Sequence, residues 1–272
     1  MSSPIDKAYK NLEFINSPEA RTVRILCEYH EPQARFQRER IRDTIIFFGS
    51  ARSLPPEVAQ RSVDRARQAL ADGSGTEQAV REAEARLGLA AYYEDARSLS
   101  RRLTEWNVER AARQGERHYV VCTGGGPGIM EAANRGASEV PGGRSVGLGI
   151  SLPFEERLNP YVTPGLGFEF HYFFMRKYWF AYLAKGMVVF PGGFGTMDEM
   201  AELLTLRQTG KMKKVLPVVL FGRRYWDEVI DLHAMVRWGT ISPRDTSLVH
   251  ATDEVDDAYR FLTESLARNE AG

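Results

Sequence analysis

The sequence predicts an α/β fold: a doubly wound, mostly parallel sheet with helices on both faces. Two observations predict it. Apolar runs short enough for buried strands recur at Thr44–Phe48, His118–Cys122, Ser145–Ile150, Met187–Phe190 and Val215–Phe221, with helical segments between them. Glycine-rich stretches follow two of these runs directly, at 123–128 and 192–195, where strands of a parallel sheet hand over to helices. Right-handed crossovers then bring the loops at 49–52, 123–131, 151–156 and 191–199 to one edge of the sheet. Two glycine loops, two cations and several carboxylates on that edge make a nucleotide pocket, and the arrangement is Rossmann-like.

Composition narrows the partners. The chain has 272 residues, which suits one large domain of this kind or two smaller ones. Lysine plus arginine equals aspartate plus glutamate at 36 each, and no sustained basic stripe appears, so nucleic acid is not an expected partner. Cys27 and Cys122 fit neither a disulfide framework nor a metal knuckle, and the five histidines form no HExxH motif, so no metal is expected. The polar N-terminus has no apolar signal core, and no apolar run is long enough to span a bilayer. A cytoplasmic protein with no membrane attachment is the expectation.

Residues 1–43 read as a polar, partly helical arm. Leu12, Phe14 and Ile15 form one apolar patch on it, and Val23, Ile25, Leu26 and Tyr29 another, suited to its own domain or to a neighbouring subunit. The remainder, 44–272, reads as one domain. Gly49-Ser50-Ala51-Arg52 follows the first strand at the end where ligands bind in parallel sheets. Between Pro55 and Gly115 the pattern predicts three helices: one through Val58, Val63, Ala66 and Leu70, a second from Gln78 to Tyr93, and a third from Ala96 to Ala112. A crossover needs only one helix, so 55–89 reads as an inserted helical hairpin. The second strand ends in Thr123-Gly124-Gly125-Gly126-Pro127-Gly128, and Ile129, Met130 and Glu131 open the next helix. This loop misses the GxGxxG dinucleotide fingerprint in either frame, and no GxxxxGK[ST] motif is present. No element is assigned to the aromatic-dense Phe168–Phe174. A helix is expected from Met175 to about Lys185, another over Trp226–Val236, a short strand at Ser247–His250 and a closing helix through Leu266.

The stretch Gly186–Gln208 organises the rest. A buried strand runs into Pro191, Gly192, Gly193, Phe194, Gly195 and Thr196, and a helix is expected to open at Thr196. Strand, glycine loop and helix bring backbone N–H groups and a helix dipole onto an anion, usually phosphate. Glu199 lies three residues on and reads two ways. It fits a capping box with Thr196, or it is a catalytic carboxylate within one turn of a phosphate. Arg176 and Lys177 stand at a predicted helix start, where cations oppose the dipole. They are either solvated surface charges or partners of a bound phosphate or carboxylate.

TGGGPGIMEAANRGA at 123–137, LPFE at 152–155, MRK at 175–177 and PGGFGTMDE at 191–199 together resemble the Lonely Guy (LOG) family, cytokinin-activating phosphoribohydrolases whose relatives are often labelled lysine decarboxylases. The resemblance covers about Thr44 to Leu266, and the arm and the insertion after Arg52 look like the family's longer branch, whose members can form assemblies larger than a dimer. It implies a catalytic pair, Arg176 and Glu199, and a phosphate loop of Gly192, Gly193, Phe194, Gly195 and Thr196. It further implies substrate contacts at Lys177, Glu155 and Thr205, and a pocket completed by Gly49, Ser50, Gly125, Gly126, Met130 and Glu131. The implied reaction is hydrolysis of the N-glycosidic bond of a nucleoside 5′-monophosphate, AMP or a cytokinin ribotide, by a homo-oligomer with no cofactor. A decarboxylase would need a pyridoxal site, for which these residues give no physical support. The alternative from another class is a non-catalytic nucleotide-binding or molybdenum-cofactor carrier protein on the same scaffold.

Overall fold

Both faces of the sheet are covered, so its strands are short and apolar on both sides, as in Thr44–Phe48, where all five residues are buried. The computed structural model describes residues 7–114, 119–151 and 158–271. Among these, seven strands form one sheet: β1 (Thr44–Phe48), β2 (Val120–Thr123), β3 (Ser145–Ile150), β4 (Gly167–Phe170), β5 (Ala184–Val189), β6 (Val218–Phe221) and β7 (His250–Thr252). Their order is β4-β3-β2-β1-β5-β6-β7 and every adjacent pair is parallel. The predicted doubly wound α/β fold is the fold of the chain.

The helices are α1 (Leu12–Asn16), α2 (Arg21–Arg38), α3 (Pro56–Ala71), α4 (Glu77–Gly88), α5 (Ala90–Gln114), α6 (Ile129–Ser138), α7 (Phe173–Leu183), α8 (Phe194–Gln208), α9 (Arg223–Val229), α10 (Leu232–Arg237) and α11 (Val255–Ala271). Strand alternation sorts the core into two layers. Ile46 and Phe48 of β1 face a layer that includes Phe36 of α2, Trp179 and Phe180 of α7, Leu203 of α8 and Trp226 of α9. Ile45 and Phe47 face the other, with Tyr93 and Leu99 of α5, Ile129 of α6 and Leu262 of α11. Chain direction across the sheet reverses between β1 and β5, whose ends are tied by the Phe190 N–H donating to the Phe48 carbonyl (2.8 Å). That switch point is where an open parallel sheet forms its ligand crevice.

Several boundaries differ from the sequence expectation. The aromatic run contains β4: Phe168 and Phe170 point into the core and Glu169 points out, an alternation masked by the flanking rings. Helix α7 opens at Phe173, so Arg176 and Lys177 lie in its second turn, where the dipole has faded. Helix α8 opens at Phe194, two residues before Thr196. The single helix expected over Trp226–Val236 is broken at Ile230, which is extended (φ −135°, ψ 100°), because the Asp231 side chain accepts from the Ala234 N–H and starts α10 afresh. The final strand is His250–Thr252, since 243–248 form a 3-10 turn whose Ser242–Asp245 capping box satisfies its start. Among the described residues no helix is long and apolar enough to cross a membrane.

Candidate active site

The cleft lies across the switch point, with a volume of about 610 Å³, within the range of small-molecule sites. Its floor is a set of loops bonded to one another. The Ser50 N–H donates to the Pro191 carbonyl (2.9 Å), joining the ends of β1 and β5, and the Ile129 N–H donates to the Ser50 carbonyl (3.1 Å), joining β1 to α6. Gly128 makes the second junction possible: at φ +73° it lies so close to the β1 loop that a Cβ would meet the Ser50 carbonyl oxygen at 2.3 Å. On the far side the Tyr225 hydroxyl of α9 donates to the Gly192 carbonyl (2.6 Å) and fixes the glycine loop.

Helix α8 points its N-terminus into this cleft. Its N-cap, Gly193, has no side chain to cap with, and the first intrahelical bond runs from the Met197 N–H to the Gly193 carbonyl. The N–H groups of Phe194, Gly195 and Thr196 have no acceptor among the described residues. Three convergent donors at the positive end of a fifteen-residue helix form an anion seat.

Beside the seat, Arg176 Nη2 donates to Glu199 Oε1 at 2.9 Å, and the two side chains are only 14% and 7% exposed. Glu199 is the sixth residue of α8, beyond the reach of a capping box, and the capping reading falls. Phe173 and Phe180, one turn before and after Arg176 on α7, place their rings 5.1 and 5.9 Å from its guanidinium carbon, which holds the cation in place. Its Nε is buried with no partner among the described residues, leaving a donor for an incoming ligand. Burial raises the Glu199 carboxyl above its ordinary range, and the Arg176 charge pulls it part of the way back. Behind them, burial keeps the Cys122 thiol protonated, so it is no nucleophile.

A family model described as "Possible lysine decarboxylase" matches residues 130–262, a stretch that contains both members of the pair. The pyrimidine/purine nucleotide 5′-monophosphate nucleosidase of Escherichia coli strain K12 is 34% identical over 121 residues, and its counterpart in strain O157:H7 matches equally. Over these stretches the chain is similar to that family and to the nucleosidases, in keeping with the LOG resemblance of its motifs. The match takes in 40% of this chain and 25% of the enzyme, so the chain spans about a quarter of the length of the curated relatives it matches. Among solved structures, the molybdenum cofactor binding protein from the phototrophic bacterium Rippkaea orientalis aligns over 63% of this chain and 87% of its own at 18% identity and a TM-score of 0.40, too slight a likeness to bear on function.

The residues singled out by the resemblance divide in two. Gly49, Ser50, Met130, Arg176, Gly192, Gly193, Phe194, Gly195, Thr196 and Glu199 line the cleft. Lys177 turns to α8 instead, its Nζ 2.7 Å from Asp198 and 3.1 Å from Glu202; an acid pair, not a ligand, balances this cation. Gly125 and Gly126 lie off the cleft because their carbonyls accept from Asn159 Nδ2 (3.0 Å each), part of a buried Asn159–Asn134–Thr123 network; Gly124 takes their place in the lining. Glu131 accepts from the Tyr93 hydroxyl (2.9 Å), and the Thr205 hydroxyl donates to the Ala201 carbonyl of its own helix (2.8 Å). Glu155 lies outside the described residues. Phe48, Leu89, Phe180 and Tyr225 line the cleft as well and escape a motif-based reading. Only Phe48, at the end of β1, and Tyr225, in the first turn of α9, carry a positional signal; Leu89 follows α4 and Phe180 lies in the third turn of α7.

Among the described residues no group of three or more His, Cys, Asp or Glu is placed to hold a metal ion.

Proposed function

We propose that the protein hydrolyses the N-glycosidic bond of a nucleoside 5′-monophosphate, AMP or a cytokinin ribotide, to free base and ribose 5-phosphate. The observation that carries the reading is the buried Arg176–Glu199 pair, 2.9 Å apart, beside the N–H groups at the start of α8. The 5′-phosphate takes the seat at 194–196, which fixes the ribose and turns binding energy into alignment. The C1′–N bond breaks through a transition state with oxocarbenium character, which the Glu199 carboxylate stabilises while it activates the attacking water. Water supplies hydroxyl to C1′ and a proton to the departing base. Arg176 stays protonated and is no base; it orients Glu199 and donates to the ribotide through charge-assisted hydrogen bonds. Phe48, Leu89, Met130 and Phe180 give the base an apolar wall.

The test is incubation of the pure protein with AMP, isopentenyladenosine monophosphate, GMP and CMP, with free base and ribose 5-phosphate followed by chromatography. Base release from at least one nucleotide is expected, lost in Glu199→Gln while nucleotide affinity stays within a few-fold of the unmodified protein. Binding without release from any of the four refutes the hydrolase reading.

A further inference from the structure

Glu28 of α2 reaches the start of α7. Its Oε1 accepts from the His171 N–H (2.8 Å) and its Oε2 from the Tyr172 N–H (3.2 Å). Its backbone carbonyl accepts from Trp179 Nε1 (3.0 Å), further along the same helix. Tyr172 is the N-cap residue of α7 and makes no side-chain cap bond of its own. Its carbonyl accepts from the N–H groups of Met175 (3.0 Å) and Arg176 (3.2 Å). Glu28 thus anchors, from 144 residues away, the two N–H groups just ahead of α7 and sets a negative charge at its positive end. Around it, Tyr29 lies 6.0 Å and Phe36 5.5 Å from Trp179, ring centre to ring centre, so α2 cannot slide along α7 without breaking aromatic packing.

Residue Tyr172 therefore links the two: its N–H donates to the Glu28 carboxylate, its carbonyl accepts from the Arg176 N–H, and the Arg176 guanidinium rests on Glu199. We propose that Glu28 is a positioning residue for the Arg176–Glu199 pair, fixing the first turn of α7 and so the point from which Arg176 reaches the carboxylate. Its consequence for turnover rests on the hydrolase reading above; its consequence for the resting protein rests on this geometry alone.

The experiment follows the titration of Glu199 by 13C NMR in full-length protein labelled at the glutamate carboxyl carbons, the signal being identified by its loss in Glu199→Gln. The groups facing this carboxylate are Arg176 and Lys177 from α7, Asp198 and Glu202 from its own helix, and Cys122 from β2. In Glu28→Gln one amide oxygen cannot accept from both N–H groups, the first turn loosens, and Arg176 withdraws. The Glu199 midpoint then rises by about 0.5–1 pH unit. Glu28→Asp keeps the charge with a shorter reach and gives a smaller shift in the same direction. With a hydrolysed nucleotide, the acidic limb of kcat/KM moves by the same amount and kcat falls about tenfold. KM changes less, because the glycine loop is tied to β1 and α9 rather than to α2. If Glu28 only stabilises the start of α7, both variants lower the melting temperature and leave the Glu199 midpoint in place, and that result overturns the proposal. If no nucleotide is hydrolysed, the hydrolase reading fails and the midpoint alone still decides the role of Glu28.

Discussion

Gly192 and Gly193 are indistinguishable as letters and opposite in their surroundings. A methyl group on Gly192 would meet Thr196 Oγ1 at 2.2 Å and Thr196 Cβ at 2.7 Å; on Gly193 nothing stands within 4 Å. The Gly193 backbone, at φ −86° and ψ −154°, is open to any residue. Gly193→Ala should therefore hold or raise the stability of the free protein, by up to about 0.5 kcal/mol, through the narrower unfolded ensemble of alanine. Gly192→Ala must push Thr196 back by about 1 Å to regain ordinary contact, an overpacking that costs about 1–3 kcal/mol. Nucleotide affinity should fall in both for different reasons. The Gly193 methyl crowds the phosphate on a sound fold, weakening Kd about tenfold, or about 1.4 kcal/mol. The Gly192 methyl displaces the Thr196 end of the seat. The assay is calorimetric titration with AMP in a Glu199→Gln background, so that ligand is not consumed, with thermal unfolding alongside. Wild-type affinity in Gly193→Ala refutes the placement of phosphate on this loop, and wild-type melting in Gly192→Ala refutes a rigid Thr196 contact.

Two further predictions concern neighbours of the site. Tyr225→Phe keeps the ring and removes the 2.6 Å bond to the Gly192 carbonyl, a loss of about 1 kcal/mol, so KM should rise about fivefold with kcat within about twofold; steady-state kinetics decide, and a fall in kcat at constant KM would put Tyr225 on the chemistry instead. Burial, reinforced by the charges of Glu254, Glu94 and Asp253, raises the Asp95 carboxyl from 3.8 to about 6. Below about pH 3 it is protonated folded or unfolded and contributes nothing; as pH rises from about 3 to 7 the unfolded chain ionises first, stability falls, and the penalty is complete above about 7. Asp95→Asn should then be more stable by about 2 kcal/mol at pH 8 and by almost nothing at pH 3. Equal gains by denaturant unfolding at both pH values would count against a buried charge as the cause.

How far the sequence carries depends on the kind of interaction. Strands buried on both faces announce themselves as apolar runs, and β1 and β3 fall on the expected residues. β4 does not, because its alternation spans only four residues amid rings that belong to α7. The loop at 191–196 was legible because glycine, strand and helix signals coincide there. Which glycines of 123–128 face the cleft was not, since Asn159, more than thirty residues on, decides it by holding two carbonyls. The Arg176–Glu199 pair came into view through motif resemblance; the local pattern equally allowed a capping box, and only the true start of α8 separates the two. Leu89, Phe180 and Tyr225 reach the cleft through tertiary packing, which no local window contains.

Helices α3 and α4 stand in the crossover between β1 and α5, and Leu89, the residue after α4, lines the cleft. The groups proposed for bond cleavage sit elsewhere, on α7 and α8, carried by β4, β5 and the opposite face of the sheet. One residue of the proposed base wall, Leu89, is thus encoded apart from the groups proposed for the chemistry, whereas Phe180, another, shares α7 with Arg176. A change of length or sequence between residues 55 and 89 can reshape the mouth of the cleft without touching the residues that bear the proposed reaction. For an engineer, that crossover is the cassette to randomise when a new base is wanted, and 173–199 is the stretch to leave alone.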